Sequence, residues 1–379
     1  MIKIGITGQS GFIGTHLFNT LNLFPDAYRT VPFEDEFFRN EGRLKEFVQN
    51  CDAIVHLAAM NRHNDPEVIY NTNIELVKKL ISACEGSDST PHILFSSSIQ
   101  EERDNLYGKS KKEGRKLLEK WAMSNNGRFT GLILPNVFGP FGHPYYNSVI
   151  ATFCHQLTHG EQPGIDVDGE LKLIYVGEVV REIIEHIKAM QLENNSNAIA
   201  DTVVLPNSSS VRVSGLLEKL EGFKKNYFSA GIIPDLSEPF DRDLFNTFLC
   251  YADHSSLFPF FYKLNTDDRG SFAELLKCNS RGQFSFSTTK PGITRGNHFH
   301  TRKAERFAVI KGKARIEIRR IGTDKKFVYE LDGSRPSFVD MPIWYTHNIT
   351  NTGEEDLYTF FWISEFYDPD DADTFLETV

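Results

Sequence analysis

The chain has 379 residues, 40% of them apolar and 24% charged. That is an ordinary globular composition, and more length than one core usually supports, so two domains are expected. Asp and Glu number 51 against 41 Lys and Arg, and the formal net charge of −10 argues against nucleic acid and anionic membranes as general partners.

In chain order, the first half alternates strand-like and helix-like runs. IKIGITG is a short apolar run ending in glycine, and HLFNTLNLF follows at helical spacing. AYRTVPF reads as a second strand, RLKEFVQN as a helix and AIVHLAA as a third, buried strand. IELVKKLISACE places apolar residues at 74, 76, 77, 80 and 81, one face of a helix; ILFSSS, GRKLLEKWAM and TGLILP add strand, helix and strand. All-apolar strands alternating with helices predict a parallel sheet covered on both faces, the doubly wound α/β (Rossmann) fold.

From about Gly139 the pattern loosens into LKLIYV, VVREIIEHIKAM, DTVVLP and SGLLEKLEGFKK, read as a smaller lobe closing over the nucleotide sheet. Beyond Ala252–Phe258 come FSFSTT, FAVIKG, ARIEIRR, KFVYEL and LYTFFWI, separated by Gly, Pro and Asp turns. Short strands with almost no helical spacing predict an antiparallel sandwich or barrel. The expected division is residues 1–250 for the α/β domain with its lobe and 255–379 for the barrel. No basic segment followed by an apolar run opens the chain, and LFPFFY (Leu257–Tyr262) is too short to span a bilayer. With no export signal, the five scattered cysteines read as reduced thiols in a cytoplasm.

GQSGFIG sets glycines at 8, 11 and 14 between the first strand and a helix. Gly8 permits the tight turn, Gly11 a close approach to a pyrophosphate, and Gly14 close packing of helix on sheet; Phe12 and Ile13 open the helix whose free N–H groups would face the phosphates. The turn therefore predicts a dinucleotide coenzyme. After the second strand, Glu34, Asp35 and Glu36 favour a free ribose hydroxyl, whereas Arg29 or Arg39 favours a 2′-phosphate. These residues leave NADPH and NADH both open.

SSSIQEERDNLYGKSK follows the fourth strand, and its Tyr107 and Lys111 share one helical face. Ketone reduction needs an acid at the oxygen as hydride reaches the carbon; a tyrosine beside an ammonium serves, with a serine hydroxyl near the same oxygen. Ser98 is the choice, with Ser97 next. The first ~250 residues resemble the extended short-chain dehydrogenase/reductases: GITGQSGFIG, HLAA (His56–Ala59), NTN (Asn71–Asn73), FSSS, YGKSK and LPNVFGP (Leu134–Pro140) stand in that family's order. The resemblance implies Leu57, Ala58 and Asn73 near the coenzyme, Pro135 and Asn136 near nicotinamide and sugar, and Asn147 at the substrate. The Ser98–Tyr107 gap is shorter than is usual there, and the family's arginine near LPNVFGP is replaced by Leu134 and Pro135.

In the second half, GITRGNHFHTRKAE carries His298 and His300, two apart on one strand face, with Glu305 next and His347 later in MPIWYTHNITN. Three imidazoles and one carboxylate suit Zn²⁺, or Fe²⁺ or Mn²⁺ in another geometry; the bland reading is packed histidines without metal. G-x5-H-x-H-x4-E-x6-G (Gly292–Gly312) and P-x-W-x2-H-x3-N (Pro342–Asn351) resemble both cupin motifs, with Trp344 in place of the usual glycine, a change expected to narrow the pocket. DDRGSF (Asp267–Phe272) and TRGNHFH (Thr294–His300) also resemble the metal-free cupin epimerases of nucleotide-linked 4-keto-6-deoxy sugars, in which the residue at His298 is the base. A metal-bound imidazole cannot take that proton, so His298 is ligand or base. Arg295 would clamp the diphosphate.

The pairing of HLAAMNR, SSSIQ and YNSVIATFCHQL with GITRGNHFH resembles bifunctional capsule-precursor enzymes of the CapF/WbjC type over nearly the whole chain. The resemblance implies C-3 epimerisation of a UDP-linked 2-acetamido-2,6-dideoxy-4-keto-L-hexose and then NADPH-dependent C-4 reduction to the L-talose derivative, in a homodimer. The alternatives are a plain reductase whose barrel only binds sugar or dimerises, and an iron oxygenase barrel.

Overall fold

The computed structural model describes residues 1–192, 198–268, 270–272, 275–276, 278–279 and 282–379, so Arg269 of DDRGSF lies outside the described residues. By packing, the chain forms two units: Met1–Phe138 with Gly142–Val149 and Glu170–Val211, and Gly139–Phe141 with Ile150–Gly169 and Arg212–Val379.

The first unit contains β1 (Ile2–Thr7), α1 (Phe12–Asn22), β2 (Tyr28–Val31), α2 (Glu41–Gln49), β3 (Ala53–His56), α3 (Pro66–Ser87), β4 (His92–Ser98), α4 (Leu106–Ser124), β5 (Arg128–Leu134) and β6 (Asn136–Phe138). After α5 (Val149–Thr158), most of which belongs to the other unit, come β7 (Glu170–Tyr175), α6 (Val176–Leu192), β8 (Ile199–Val204) and β9 (Ser209–Arg212). Six strands form a parallel sheet in the order β2-β1-β3-β4-β5-β8. β3 is buried along its whole length, because both faces of the sheet are covered. On one face Ile4 and Ile6 meet Leu17 and Leu21 of α1 and Val179, Ile183 and Ile187 of α6. On the other, Ile54, Ile93 and Phe129 meet Phe47 of α2, Leu80 of α3 and Trp121 of α4.

Local chemistry sets the helix starts: Asn40, Asp65 and Asn105 each cap a helix by accepting a backbone N–H, and Pro66 opens α3 where its missing N–H costs nothing. One expectation is corrected here. DTVVLP and VVREIIEHIKAM, read as part of a small lobe, are the sixth strand of the main sheet and a helix covering it. Only β6, β7 and β9 make a separate, three-stranded sheet.

The second unit holds α7 (Val213–Phe223), α8 (Pro239–Leu249), α9 (His254–Leu257), β10 (Phe260–Phe261), β11 (Asn265–Asp267), β12 (Gly270–Phe272), β13 (Gln283–Thr289), β14 (Thr294–Phe299), β15 (Glu305–Lys311), β16 (Lys313–Arg320), β17 (Lys326–Asp332), β18 (Ser337–Met341), β19 (Tyr345–Asn351), β20 (Leu357–Ile363) and β21 (Phe375–Leu376). Two five-stranded sheets, β10-β18-β15-β20-β13 and β17-β16-β19-β14-β21, contribute Val309, Val339, Met341 and Leu357, and Ile316, Ile318 and Ile349, to one core. That is the all-β barrel expected after the α/β half.

Where the sequence reading divides the chain near residue 250, the packing groups residues 212–250 with the barrel instead. The reason is a buried polar joint. Arg306 of β15 forms a two-pronged ion pair with Asp340 of β18 at 2.7 and 2.9 Å, and both side chains are nearly solvent-free. Its third donor reaches the Gly231 carbonyl at 3.0 Å, and the Tyr227 hydroxyl, beyond α7, donates to Asp340. Removing residues 212–250 would strip partners from a buried charge pair.

Candidate functional site

Gly8 leaves β1 with φ +72°, and a Cβ there would lie 2.8 Å from the Ala58 nitrogen. A Cβ on Gly14 would stand 2.3 Å from the Gly8 carbonyl oxygen, and Gly11 donates its N–H to that same oxygen at 3.0 Å. Gly11 caps α1 without any side-chain acceptor, which leaves the N–H groups at Phe12 and Ile13 facing outward from the turn for an anion. The loop after β3 is sewn to the turn: Leu57 donates to the Thr7 carbonyl at 3.1 Å and Ala58 to the Thr7 hydroxyl at 3.3 Å. Asn73 is buried, and both its amide hydrogens are engaged, by the Met60 carbonyl and the Ser110 hydroxyl; it shapes this loop and has no N–H left for a coenzyme. Gly14→Ala is expected to weaken coenzyme binding at least tenfold while the fold persists, read by fluorescence titration; unchanged affinity would remove the turn from the site.

Tyr107 and Lys111 lie in the first turns of α4. Lys111 is buried, donates to the Ser96 carbonyl at 2.9 Å, and lies 4.9 Å from the Phe95 ring and 5.9 Å from the Tyr107 ring. Burial lowers its pKa to about 8, partly offset by Glu101. Burial, with Tyr146 adding to it, pushes the Tyr107 phenol up to about 12. The lowered phenol that a neighbouring ammonium would give is therefore not found here: desolvation raises it. Ser98 ends β4, half-buried, with its hydroxyl accepting from the Gln100 N–H at 3.2 Å. Ser97 points to the other face, where it donates to Glu101, itself gripped by both prongs of Arg115 at 2.9 and 2.8 Å. Strand alternation thus removes Ser97 as the substitute. The Glu101–Arg115 pair beneath Lys111 escapes sequence reasoning, because nothing at its spacing marks it.

Pro135 is buried and Asn136 exposed at the start of β6. Asn147, exposed at φ +59°, donates to the Asn61 carbonyl at 2.8 Å, and Arg62 donates to the Tyr145 carbonyl. These two bonds tie the HLAAMNR loop to the loop of Tyr145–Asn147. Of the basic groups expected near a 2′-phosphate, Arg29 is exposed within β2 opposite Lys3, and Arg39 is exposed at the end of a short turn. Arg43, which no sequence motif marks, lies 3.6 Å from Glu34 and 5.3 Å from the centre of the Phe37 ring, beside the segment that follows β2.

In the barrel, the donor atoms of His298, His300, Glu305 and His347 all lie within 4.8 Å of one another. β14 is bulged between Gly296 and His298, with Asn297 at φ +58°, and delivers His298 opposite His347 of β19. Glu305 begins β15. Its Oε2 stands 3.2 Å from His300 Nε2 and 3.1 Å from His347 Nε2, yet none of these three buried atoms has a properly directed hydrogen-bond partner. His298 is only half-buried, and its pKa falls to about 4 through burial and then the neighbouring His347 and His300. His300 Nδ1 meets the Asp373 carbonyl at 2.5 Å and His347 Nδ1 the Tyr345 carbonyl at 3.2 Å. A carbonyl only accepts, so both rings carry hydrogen on Nδ1 and a lone pair on Nε2. Convergent lone pairs without donors are what a cation would satisfy, and the donor set suits zinc.

Trp344 adopts φ +61°, which explains why glycine is usual at that position. Its ring is buried on Phe299, 5.6 Å away, on the strand face opposite the imidazoles. It therefore does not narrow the pocket as its size suggests. Arg295 is exposed and spends one N–H on the Thr288 carbonyl at 3.2 Å.

Comparison with known proteins agrees with both halves. The NAD dependent epimerase/dehydratase family matches residues 4–197, and the polysaccharide biosynthesis C-terminal domain matches residues 265–375. The chain belongs to the NAD dependent epimerase/dehydratase family. It is 34% identical, over 99% of its length and 98% of the relative's, to a Pseudomonas aeruginosa protein named UDP-2-acetamido-2,6-beta-L-arabino-hexul-4-ose reductase. The capsular polysaccharide assembling protein CapF from Staphylococcus aureus superposes on it with a TM-score of 0.62 at 34% identity, covering 100% of both chains. RMD from Pseudomonas aeruginosa, solved with NADPH, shares the fold of the first half at 19% identity and a TM-score of 0.52, covering 59% of this chain and 83% of its own. Among the described residues no helix is long and apolar enough to cross a membrane.

Proposed function

We propose that this chain converts a UDP-linked 2-acetamido-2,6-dideoxy-4-keto-L-hexose in two steps: C-3 epimerisation in the barrel, then NADPH-dependent C-4 reduction to UDP-2-acetamido-2,6-dideoxy-L-talose for capsule or O-antigen synthesis. What carries the reading is identity over nearly the full length to a protein named for reducing a UDP-linked hexul-4-ose.

The C-4 carbonyl acidifies the neighbouring C-3 hydrogen. A base takes that proton, the electrons pass to the C-4 oxygen as an enolate, and reprotonation on the opposite face inverts C-3. His298 fits the base, since it is the only one of the four donors that is not fully buried. With zinc held by His300, Glu305 and His347, His298 would be either a fourth ligand or the free base, and only as the free base could it remove the C-3 proton. His300, Glu305 and His347 would hold the ion, which would supply Lewis-acid polarisation of the carbonyl. Arg295 keeps N–H groups free for the diphosphate.

For reduction, the bound coenzyme supplies the hydride. Tyr107 then gives its proton to the C-4 oxygen, Lys111 places positive charge beside it, and Ser98 hydrogen-bonds the same oxygen; Asn136 and Asn147 contact the sugar. A phenol held near 12 is fully protonated at neutral pH, the form that reduction consumes. Lys111, lowered to about 8, keeps its ammonium below that pH and loses it above. The kcat/KM for ketone reduction is therefore expected to be steady near pH 7 and to fall as pH rises through about 8. A profile flat to pH 10 contradicts the assignment.

The test of epimerisation uses the full chain with the 4-keto substrate in D₂O and no reduced coenzyme. Deuterium should enter at C-3, seen by NMR. No incorporation, with and without zinc, leaves a plain reductase whose barrel only binds sugar or dimerises. Oxygen uptake by the iron-loaded chain would point instead to an oxygenase.

A further inference from the structure

The histidine cluster is reached by a segment no motif announces. After β20 the chain runs back across β14, where β21 pairs His298 with Leu376 and Phe299 with Phe375. Arg319 fastens the end of this strap through Glu377 Oε1 at 2.8 Å and the Thr378 carbonyl at 2.6 Å. Asp373 lies within it, 6% exposed and at φ +42°. Its carboxylate accepts from the Thr301 N–H at 3.0 Å, the Thr301 hydroxyl at 2.6 Å, the Arg302 N–H at 3.1 Å and the Lys303 N–H at 3.3 Å. Three successive backbone donors around one anion make a filled nest. That nest is the turn following His300, and the carbonyl of the same Asp373 meets His300 Nδ1 at 2.5 Å. One residue thus grips the turn with its side chain and the ring with its backbone.

We infer that Asp373 is a positioning residue of the donor cluster: by locking the Thr301–Lys303 turn it sets its own carbonyl against His300, fixing the Nδ1–H tautomer with the Nε2 lone pair directed at Glu305. Without the carboxylate, three backbone N–H groups and a hydroxyl lose their acceptor, the turn relaxes, and the ring is free to exchange tautomers. A second imidazole, His347, takes its Nδ1 partner from within its own strand and has no need of the strap. For metal affinity the inference rests on the zinc reading above; for the tautomer it does not.

The experiment uses the full chain, ¹⁵N-labelled at histidine and metal-free, with the His300 signals assigned through His300→Gln. Wild type should show His300 protonated on Nδ1, and Asp373→Ala a mixture of tautomers, while His347 is unchanged in both. Asp373→Asn, which keeps one acceptor oxygen and most of the packing, should fall between them; it remains decisive if the alanine variant does not fold. Zinc titration against a chromophoric chelator should show about a 10–100-fold weaker affinity for Asp373→Ala. The inference is overturned if wild-type His300 carries its proton on Nε2, or if folded Asp373 variants keep the wild-type tautomer and lose only melting temperature. If wild type takes up no zinc yet the tautomers behave as stated, the metal reading fails and the positioning role stands.

Discussion

Tyr107→Phe is expected to cut NADPH oxidation by about 10²–10⁴-fold while leaving C-3 deuterium exchange at the wild-type rate. The substitution removes the one proton that the C-4 oxygen must receive as hydride arrives, and it removes little else: the ring keeps its place on α4, 5.9 Å from Lys111. Little change in coenzyme affinity should accompany the loss, because the glycine turn is untouched. Stopped-flow absorbance of the coenzyme and NMR of the sugar, run on one sample, separate the two activities. Loss of exchange together with reduction would mean that a single site handles both steps, and the two-step scheme would be wrong.

Asp340→Ala is expected to destabilise the barrel unit by about 3–5 kcal/mol, since it leaves the buried Arg306 guanidinium without its counter-charge. For a unit of this size that corresponds to a drop of roughly 10 °C in melting temperature. The joint also presses Arg306 onto the Phe338 ring, 3.6 Å from its centre, so the cation keeps one favourable contact after the carboxylate is gone. The paired replacement Arg306→Met with Asp340→Leu is expected to lose far less than either single change, because no charge is then stranded in the core. Calorimetry of the three variants checks both statements. If the single and double variants melt together, a stranded buried charge is not the source of the loss.

Sequence and structure agree most closely where the signal is local. Gly8 and Gly14 stand where a Cβ would strike backbone, so their spacing and their steric need are one fact. His298, His300, Glu305 and His347 can be grouped from the sequence because ordinary strand pairing brings their two short segments together. They part where environment outweighs spacing. Tyr107 and Lys111 are four apart, which suggests a depressed phenol, but burial of the phenol raises it instead. Trp344 is a large ring at a glycine position; its backbone conformation and the alternation of the strand turn it away from the pocket. Residues Ser97 and Ser98 are adjacent and chemically alike; only the pleat of β4 tells them apart.

The amino-acid sequence by itself determined the doubly wound half, the β-barrel half, the glycine turn and the four donors, since periodicity, turn residues and short spacings act within a few residues of the chain. Tertiary structure alone decided that β8 closes the main sheet, that residues 212–250 pack with the barrel, and that Asp373 meets His300. Those contacts join segments far apart in the chain (Asp373 accepts from Lys303 across 70 positions). Their existence depends on which buried donors, charges and strand edges are left needing a partner after the local elements have formed.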